Sequence, residues 1–564
     1  SHHTRKTSTG FVTLNIMDDE KNGTKAPDLH DSSSSLNDRG QISAIQLSEY
    51  GVHRGLQSHH IQLLAISGVI GTGLFVGTSG VLSSAGPAGL LIGYSIWCIF
   101  LLCVAHAMGE MSAFLPVPGS FVTHIGRFID ESAGVAMGWV YAYRIFTAAD
   151  CTALAGLWSY WFPDINPGVW VACTLGVVFV LNCLAVKYFG EVEFYASIFK
   201  IFLIFGFLLF TFVVVLGGNP KHDRIGFRYW RDSGAFNETY TTGTTGRFLS
   251  IWGVFNTAAF AIGGPDFIAN CASEAVNPRR NIPKAVRRVI YRLIFFFILS
   301  VFAVGLLVPY NDPTMLTAIA SGNGVAKSPF IIAMNRLEIS FLPDLCNAVV
   351  ITSAWSCTNC LLFQASRTIF GLAKHERAPK IFAKTTKTGV PIPALVLSTA
   401  VASLAFMTCN TASAVVLNWF INLGSTAIMI AYILMMLANL QFHKGLMAQG
   451  IDAASLPFRS KLTLFKPTPT TSLSSGSALS SSRMAMARVF IKGHWSFSGF
   501  FTAYFTLVFF LIIFVGWKIV KRTSIVKPED MDFRTGLAEV EAHEAALVIK
   551  PPATRYERFM DWLW

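Results

Sequence analysis

Two apolar stretches of this chain carry residues that interrupt helices. Ser67 to Gly77 reads S-G-V-I-G-T-G-L-F-V-G, with glycine at 68, 71, 73 and 77, and Phe260 to Phe267 reads F-A-I-G-G-P-D-F. Glycine weakens a helix by about 1 kcal/mol relative to alanine, and proline removes a backbone donor and clashes with the preceding turn. An interruption frees N–H and C=O groups, which at membrane depth are tolerated only where they line a polar cavity or are buried in protein. A half-helix restarting at Thr72, Gly73 and Leu74 presents amides whose partial positive pole suits a carboxylate. The competing reading is close packing through small residues, since Gly73 and Gly77 form a G-x-x-x-G pair. Two broken helices at corresponding places in two halves point to a transport site at the membrane midplane.

The second kind of chemistry is proton handling. Ionisable groups inside apolar runs are expensive and are functional candidates by default. Lys200, in E-F-Y-A-S-I-F-K-I-F, is the foremost of them; its rival reading is a lysine that snorkels to the membrane surface. Asp150, Asp266 and Glu274 are alternative carriers. Glu274, beside a basic cluster, also suits a salt bridge with an arginine there, and Glu110, in G-E-M near a helix end, suits a cytoplasmic gate or a salt bridge. Arg144, in Y-A-Y-R-I-F, is unusual in an apolar run and lies almost two turns from Asp150.

These residues need membrane helices to position them. Of 564 residues, 52% are hydrophobic and 13% charged, with mean hydropathy +0.50, which is too apolar for a soluble chain of this length. A span needs about 20 apolar residues, and eleven such runs lie near 60–83, 88–114, 134–161, 168–186, 194–216, 248–272, 287–308, 344–372, 393–409, 413–439 and 495–520. Arg279, Arg280, Lys284, Arg287, Arg288 and Arg292 crowd the sixth-to-seventh connection, and Lys374, Arg377, Lys380, Lys384 and Lys387 the eighth-to-ninth. The positive-inside bias puts both connections and the N-terminus in the cytoplasm. The 217–247 loop then falls outside, where Asn237-Glu238-Thr239 is a glycosylation acceptor pattern.

The polar residues 1–50 read as a disordered cytoplasmic tail without a signal-peptide core. Eleven spans would leave Lys518, Lys521, Arg522 and the tail 521–564 outside, against the charge bias. Before the last span lies 461–488, a Ser/Thr/Pro-rich piece where an even topology needs a hydrophobic helix. It reads either as a flexible loop or as a frame-shifted or mis-spliced eleventh span. The expected organisation is a core over 51–460, the low-complexity segment 461–494, a last span over 495–520 and a cytoplasmic tail.

The chain resembles the fungal amino-acid permeases of the amino acid–polyamine–organocation superfamily. S-G-V-I-G-T-G-L-F, G-E-M-S-A-F-L-P-V-P-G-S-F, E-A-V-N-P-R-R-N-I-P-K-A-V-R-R, S-R-T-I-F-G-L-A-K-H-E-R-A-P-K-I-F, G-V-P-I-P-A and L-N-W-F-I-N-L follow in family order from about 45 to 460, and K-P-E-D-M-D-F resumes after the odd piece. The resemblance implies an all-α LeuT-type fold of twelve helices, ten of them in a five-plus-five inverted repeat with helices one and six broken. It implies amino-acid uptake with protons at the plasma membrane. It places the substrate carboxylate on Ile70, Gly71, Thr72 and Gly73 and the amino group on the carbonyls of Phe260, Ala261 and Ile262. Related transporters carry a fifth-helix lysine proposed to stand in for a sodium ion, which favours Lys200 for proton coupling. Gly264-Pro265-Asp266 departs from the usual G-T-E, and Asp150 stands where glutamate is common, so both acids are placed at the substrate site.

Phe260, Trp252 and Trp419 are candidate gates, and Ser356, Thr358 and Asn359 either line the cavity or bond between helices. No metal-ligand cluster, cofactor motif or nucleophile–base pair stands out, which argues against an enzyme. The net charge of +12 lies in loop clusters, which argues against nucleic acid. The ten cysteines read mostly as small buried hydrophobes. A channel and a non-transporting sensor of the same fold are the rival classes. The side-chain preference and oligomeric state are left open by the sequence.

Overall fold

The computed structural model describes residues 62–63, 66–117, 119–143, 146–184, 186–239, 241–320, 328–411, 413–460, 495–546 and 554–555. Residues 1–50, Arg144 and 461–494, on which three of the expectations fall, lie outside the described residues. Among the described residues there is no strand.

Each of the eleven apolar runs is helical. The first restarts as α1 (Thr72–Phe75) and continues as α2 (Gly77–Phe114), which turns at Gly86 into the second run. Gly86 has φ +73°, and a Cβ there would lie 2.8 Å from the Ala235 carbonyl oxygen, so the turn requires glycine. After α3 (Ser120–Phe128) the third run comprises α4 (Glu131–Tyr143) and α5 (Phe146–Trp158), and residues 144–145 between them lie outside the described residues. The fourth and fifth are α6 (Pro167–Cys183) and α7 (Val186–Leu216). The sixth is divided between α8 (Gly243–Ala261) and α9 (Pro265–Asn270). The seventh comprises α10 (Pro278–Arg292), a π-helical turn Leu293–Ile298 and α11 (Leu299–Leu307). The remainder are α12 (Leu342–Lys374), α13 (Ile392–Ala402), α14 (Ser413–Ala448) and α15 (Phe497–Lys521). The broken helices are the first and the sixth, at the residues where glycine and proline predict it, in keeping with the LeuT-type arrangement.

The core lies where these helices meet, and large apolar side chains face outward. On α7, Tyr195, Phe199, Phe202 and Phe205 are each more than half exposed at 61, 63, 69 and 56%, while Lys200, Ile204 and Phe207 are buried. A helix apolar on its exposed face suits lipid rather than water. The fifth helix starts at Val186 rather than near 194. The charged residues at its start belong to the helix and are not a loop.

One face carries the basic clusters. There the Ser460 amide donates to Glu110 Oε1 at 2.7 Å, joining the chain after α14 to the end of α2. On the same face Lys518, at the end of α15, pairs with Asp130, and the Val526 amide donates to the Ile129 carbonyl at 2.9 Å. Thr506, in the first half of α15, donates to the carbonyl of Leu423, in the first half of α14, at 3.1 Å. The two helices therefore run parallel, although they follow one another along the chain.

Candidate functional site

The two breaks face each other. Gly73 packs so tightly on α8 that a Cβ would lie 2.6 Å from Ala261 Cα, and Gly77 faces Thr257 at 3.2 Å. At Gly68 a Cβ would lie 2.0 Å from the Phe267 ring. Packing is thus a role of Gly73 as well as of Gly68 and Gly77. Gly264, with φ +129°, makes the sharp turn into α9 that a side chain would strain. Between the breaks lies a cavity walled by Gly71, Thr72, Phe146, Asp150, Phe260 and Cys357, among others. Gly71 caps α1 without a side-chain bond, so the helix opens on backbone amides.

The two acids differ in surroundings. Asp150, 2% exposed on α5, accepts a hydrogen bond from the Thr72 hydroxyl, and its second oxygen would lie 3.7 Å from a Cβ at Gly71. It therefore touches the first break. Asp266, fully buried, accepts from Tyr141 Oη at 2.5 Å, Tyr432 Oη at 3.3 Å and the Gly264 amide at 3.3 Å. Those bonds tie α9 to α4 and α14.

Of the three expected carbonyls, only Phe260 belongs to a residue that lines the cavity. Ala261 is packed on Gly73, and the Ile262 carbonyl accepts from Trp97 Nε1 at 3.3 Å. Ile262 is therefore engaged by α2, a partner that no local sequence signal announces. The Ile70 carbonyl likewise accepts from Ser353 Oγ at 3.2 Å. Phe260 meets Phe146 edge-on at 5.0 Å, closing one wall. Trp252 packs on Phe248 and Phe255, and Trp419 joins a separate apolar cluster with Phe260. Neither tryptophan lines the cavity.

Lys200 is 1% exposed, and its ammonium donates to the Ser67 carbonyl at 2.5 Å, on the first break. Beside it is a carboxylate that the sequence reading omitted. Glu193, 1% exposed on α7, accepts from the Ser67 hydroxyl, from Ser356 Oγ at 2.5 Å and from Asn359 Nδ2 at 2.6 Å. Lys200 also reaches Ser67 Oγ at 3.5 Å, so Ser67 links the buried cation to the buried anion. Ser356 and Asn359 therefore bond between helices, whereas Thr358 bonds to its own helix at Ala354.

Glu110 holds α14 on the basic face through His443 Nε2 at 2.9 Å and Asn439 Nδ2 at 3.3 Å, besides Ser460. Glu274 does pair with an arginine, but not one of the neighbouring cluster. Its partner is Arg367 of α12, at 3.0 Å, while Arg279 turns away to Glu544 at 3.0 Å. The 3-10 turn after α9 aims Glu274 inward to α12. Asn237 is half-buried, with Nδ2 donating to the Ser83 carbonyl at 2.7 Å. The nitrogen that a glycan would need is engaged in tying the loop to the turn at Gly86.

Over residues 60–528 the chain matches the family described as Amino acid permease. It is 38% identical to a proline-specific permease of Saccharomyces cerevisiae, covering 90% of this chain and 83% of that one. It is 35% identical to a dicarboxylic amino acid permease of the same yeast, covering 86% and 80%. Among solved structures, a manganese transporter of Eremococcus coleocola shares the fold with TM-score 0.53 at 12% identity, covering 84% of this chain and 99% of that one. The match spans both broken helices and the cavity between them, and the chain belongs to the amino acid permease family.

Proposed function

We propose that this multi-pass amino acid transporter is a proton symporter that imports its substrate across the plasma membrane by alternating access, with its N-terminus and basic face in the cytoplasm. Residues 51–460 are its transport core. The observation that carries the reading is the ammonium of Lys200 on the Ser67 carbonyl. A protonated Lys200 pins the unwound stretch of the first helix to α7, and loss of the proton removes that tie. Proton binding and the geometry of the break are then one equilibrium, as coupling requires.

In this reading the substrate carboxylate meets the amides of Gly71, Thr72 and Gly73, and the ammonium lies between Asp150 and the Phe260 carbonyl. Asp266 shapes the break and, with Asp150, lines the cavity. The described lining holds two carboxylates and no basic side chain, with Phe146, Phe260, Phe267, Leu361 and Ile428 as apolar walls. That balance favours a neutral, apolar amino acid over an acidic one, and the 38% identity to a proline-specific permease makes proline the first substrate to test.

The test is uptake of labelled proline in a permease-deficient fungal cell, with the common amino acids as competitors and with the proton gradient intact or collapsed. Collapse is expected to abolish accumulation, and neutral amino acids to compete better than aspartate. Uptake indifferent to the gradient would refute symport, and strong competition by aspartate the side-chain assignment. Counterflow acceleration by unlabelled substrate separates a carrier from a channel.

A further inference from the structure

On the basic-face side of the breaks lies a second cavity. It takes Val69, Ile70, Gly263 and Gly264 from the breaks and Val289, Arg292 and Phe296 from the seventh run. Val69 and Gly263 also line the substrate cavity, so these two residues divide one space from the other. The partition is thin, because Val69 Cγ2 would lie 3.6 Å from a Cβ at Gly264. Among the described residues of its lining, Arg292 is the charged one, and the other walls are apolar or glycine.

Arg292 has no ion pair or hydrogen bond with the described residues. Its neighbour one turn earlier differs: the Arg288 guanidinium donates to Gln62 Oε1. Immediately after Arg292 the helix widens into the π-helical turn Leu293–Ile298, a distortion that recurs at functional sites. Arg292 is half-buried in this lining, and its fork of donors matches a carboxylate in two parallel bonds.

We propose that Arg292 is a second, transient site for the α-carboxylate of the transported amino acid, occupied after the carboxylate leaves the amides at Gly71–Gly73 and passes Val69 and Gly263. The site rests on the reading of the first cavity as the substrate site. It gives the departing carboxylate a partner on the basic-face side, where an apolar wall would otherwise oppose release.

The full chain and its Arg292→Gln and Arg292→Lys variants, reconstituted in liposomes, test this by labelled proline counterflow with half-saturation measured separately at each face. Arg292→Gln is expected to raise the half-saturating concentration at the basic face about tenfold, while the opposite face changes less than about twofold. Arg292→Lys, which keeps the charge and loses the fork, is expected to fall between, and it carries the test alone if the glutamine variant fails to insert. Competition by prolinamide, which lacks the carboxylate, is expected to be equal in all three proteins. Unchanged half-saturation at the basic face, or an equal change at both faces, would overturn the proposal. Absence of counterflow by the unaltered chain would instead overturn the first cavity's assignment, and this inference with it.

Discussion

Lys200 Nζ lies 2.5 Å from the carbonyl oxygen of Ser67, so a buried cation on the fifth helix closes a backbone valence that the first helix left open. Lys200→Ala is expected to flatten the pH dependence of uptake while the protein still reaches the membrane. An unchanged pH profile in that variant would shift the proton to Asp150 or Glu193.

Glu193 positions Lys200 through Ser67. Glu193→Gln keeps the hydrogen-bonding shape and removes the charge, and it is expected to move the pH profile along its axis. Glu193→Ala, which strands the Ser356 and Asn359 donors, is expected to lower stability by about 1–3 kcal/mol as well. A glutamine variant with wild-type pH response, measured by uptake at several external pH values, would reduce Glu193 to a packing residue.

Gly73→Leu is expected to abolish uptake with surface expression retained, because the new side chain would displace Ala261 and part the two breaks. Gly71→Leu would drive into Cys357 with the same result. Normal uptake by both variants, scored against surface labelling, would remove the amides from the substrate site.

Asp150→Asn preserves an acceptor for the Thr72 hydroxyl and removes the charge. Half-saturation for substrate is expected to rise at least about tenfold, and saturation curves of uptake check this.

Asp130 supplies a pH prediction outside the membrane. Burial alone would push its carboxyl up, but Lys518, the Ser132 amide and the Thr523 hydroxyl outweigh burial, so it sits below its ordinary 3.8. A carboxyl lowered on folding stabilises the protein above its unfolded value, and the contribution is lost as pH falls through the lowered one. The melting temperature in detergent is therefore expected to hold down to about pH 5 and to drop below about pH 4. The drop should be smaller in Lys518→Met.

The breaks were legible in the sequence because glycine and proline act locally: α1 restarts at Thr72 and α9 at Pro265, where the residue types demand it. Lys200 was legible as a charge in an apolar run. Glu193 was not, because counting apolar residues started the fifth run at 194 and left that carboxylate in a loop. Its bonds to Ser67, Ser356 and Asn359 join three helices, which no window along the chain can see. The same holds for Glu274 with Arg367 and for the Ile262 carbonyl on Trp97. Long-range partners decide which polar groups are already spent, and the sequence shows only that they are present.

The parallel course of α14 and α15 has a consequence of parity. Two successive membrane helices that point the same way need an odd number of crossings between them, which the sequence between Ser460 and Trp495 would have to supply. The residues available for this include Lys461, Lys466, Arg483 and Arg488, each costing about 2.5–3.5 kcal/mol at the middle of a spanning helix. A shifted or mis-spliced junction in the transcript is therefore the expected finding on sequencing it, and an intact frame coding for these same residues would refute that. If the crossing fails, α15 inserts the other way up. The Lys518–Asp130 pair, the Val526–Ile129 bond and the contacts of the tail with the basic face are then lost together, and an epitope at the C-terminus would be reached from outside the cell.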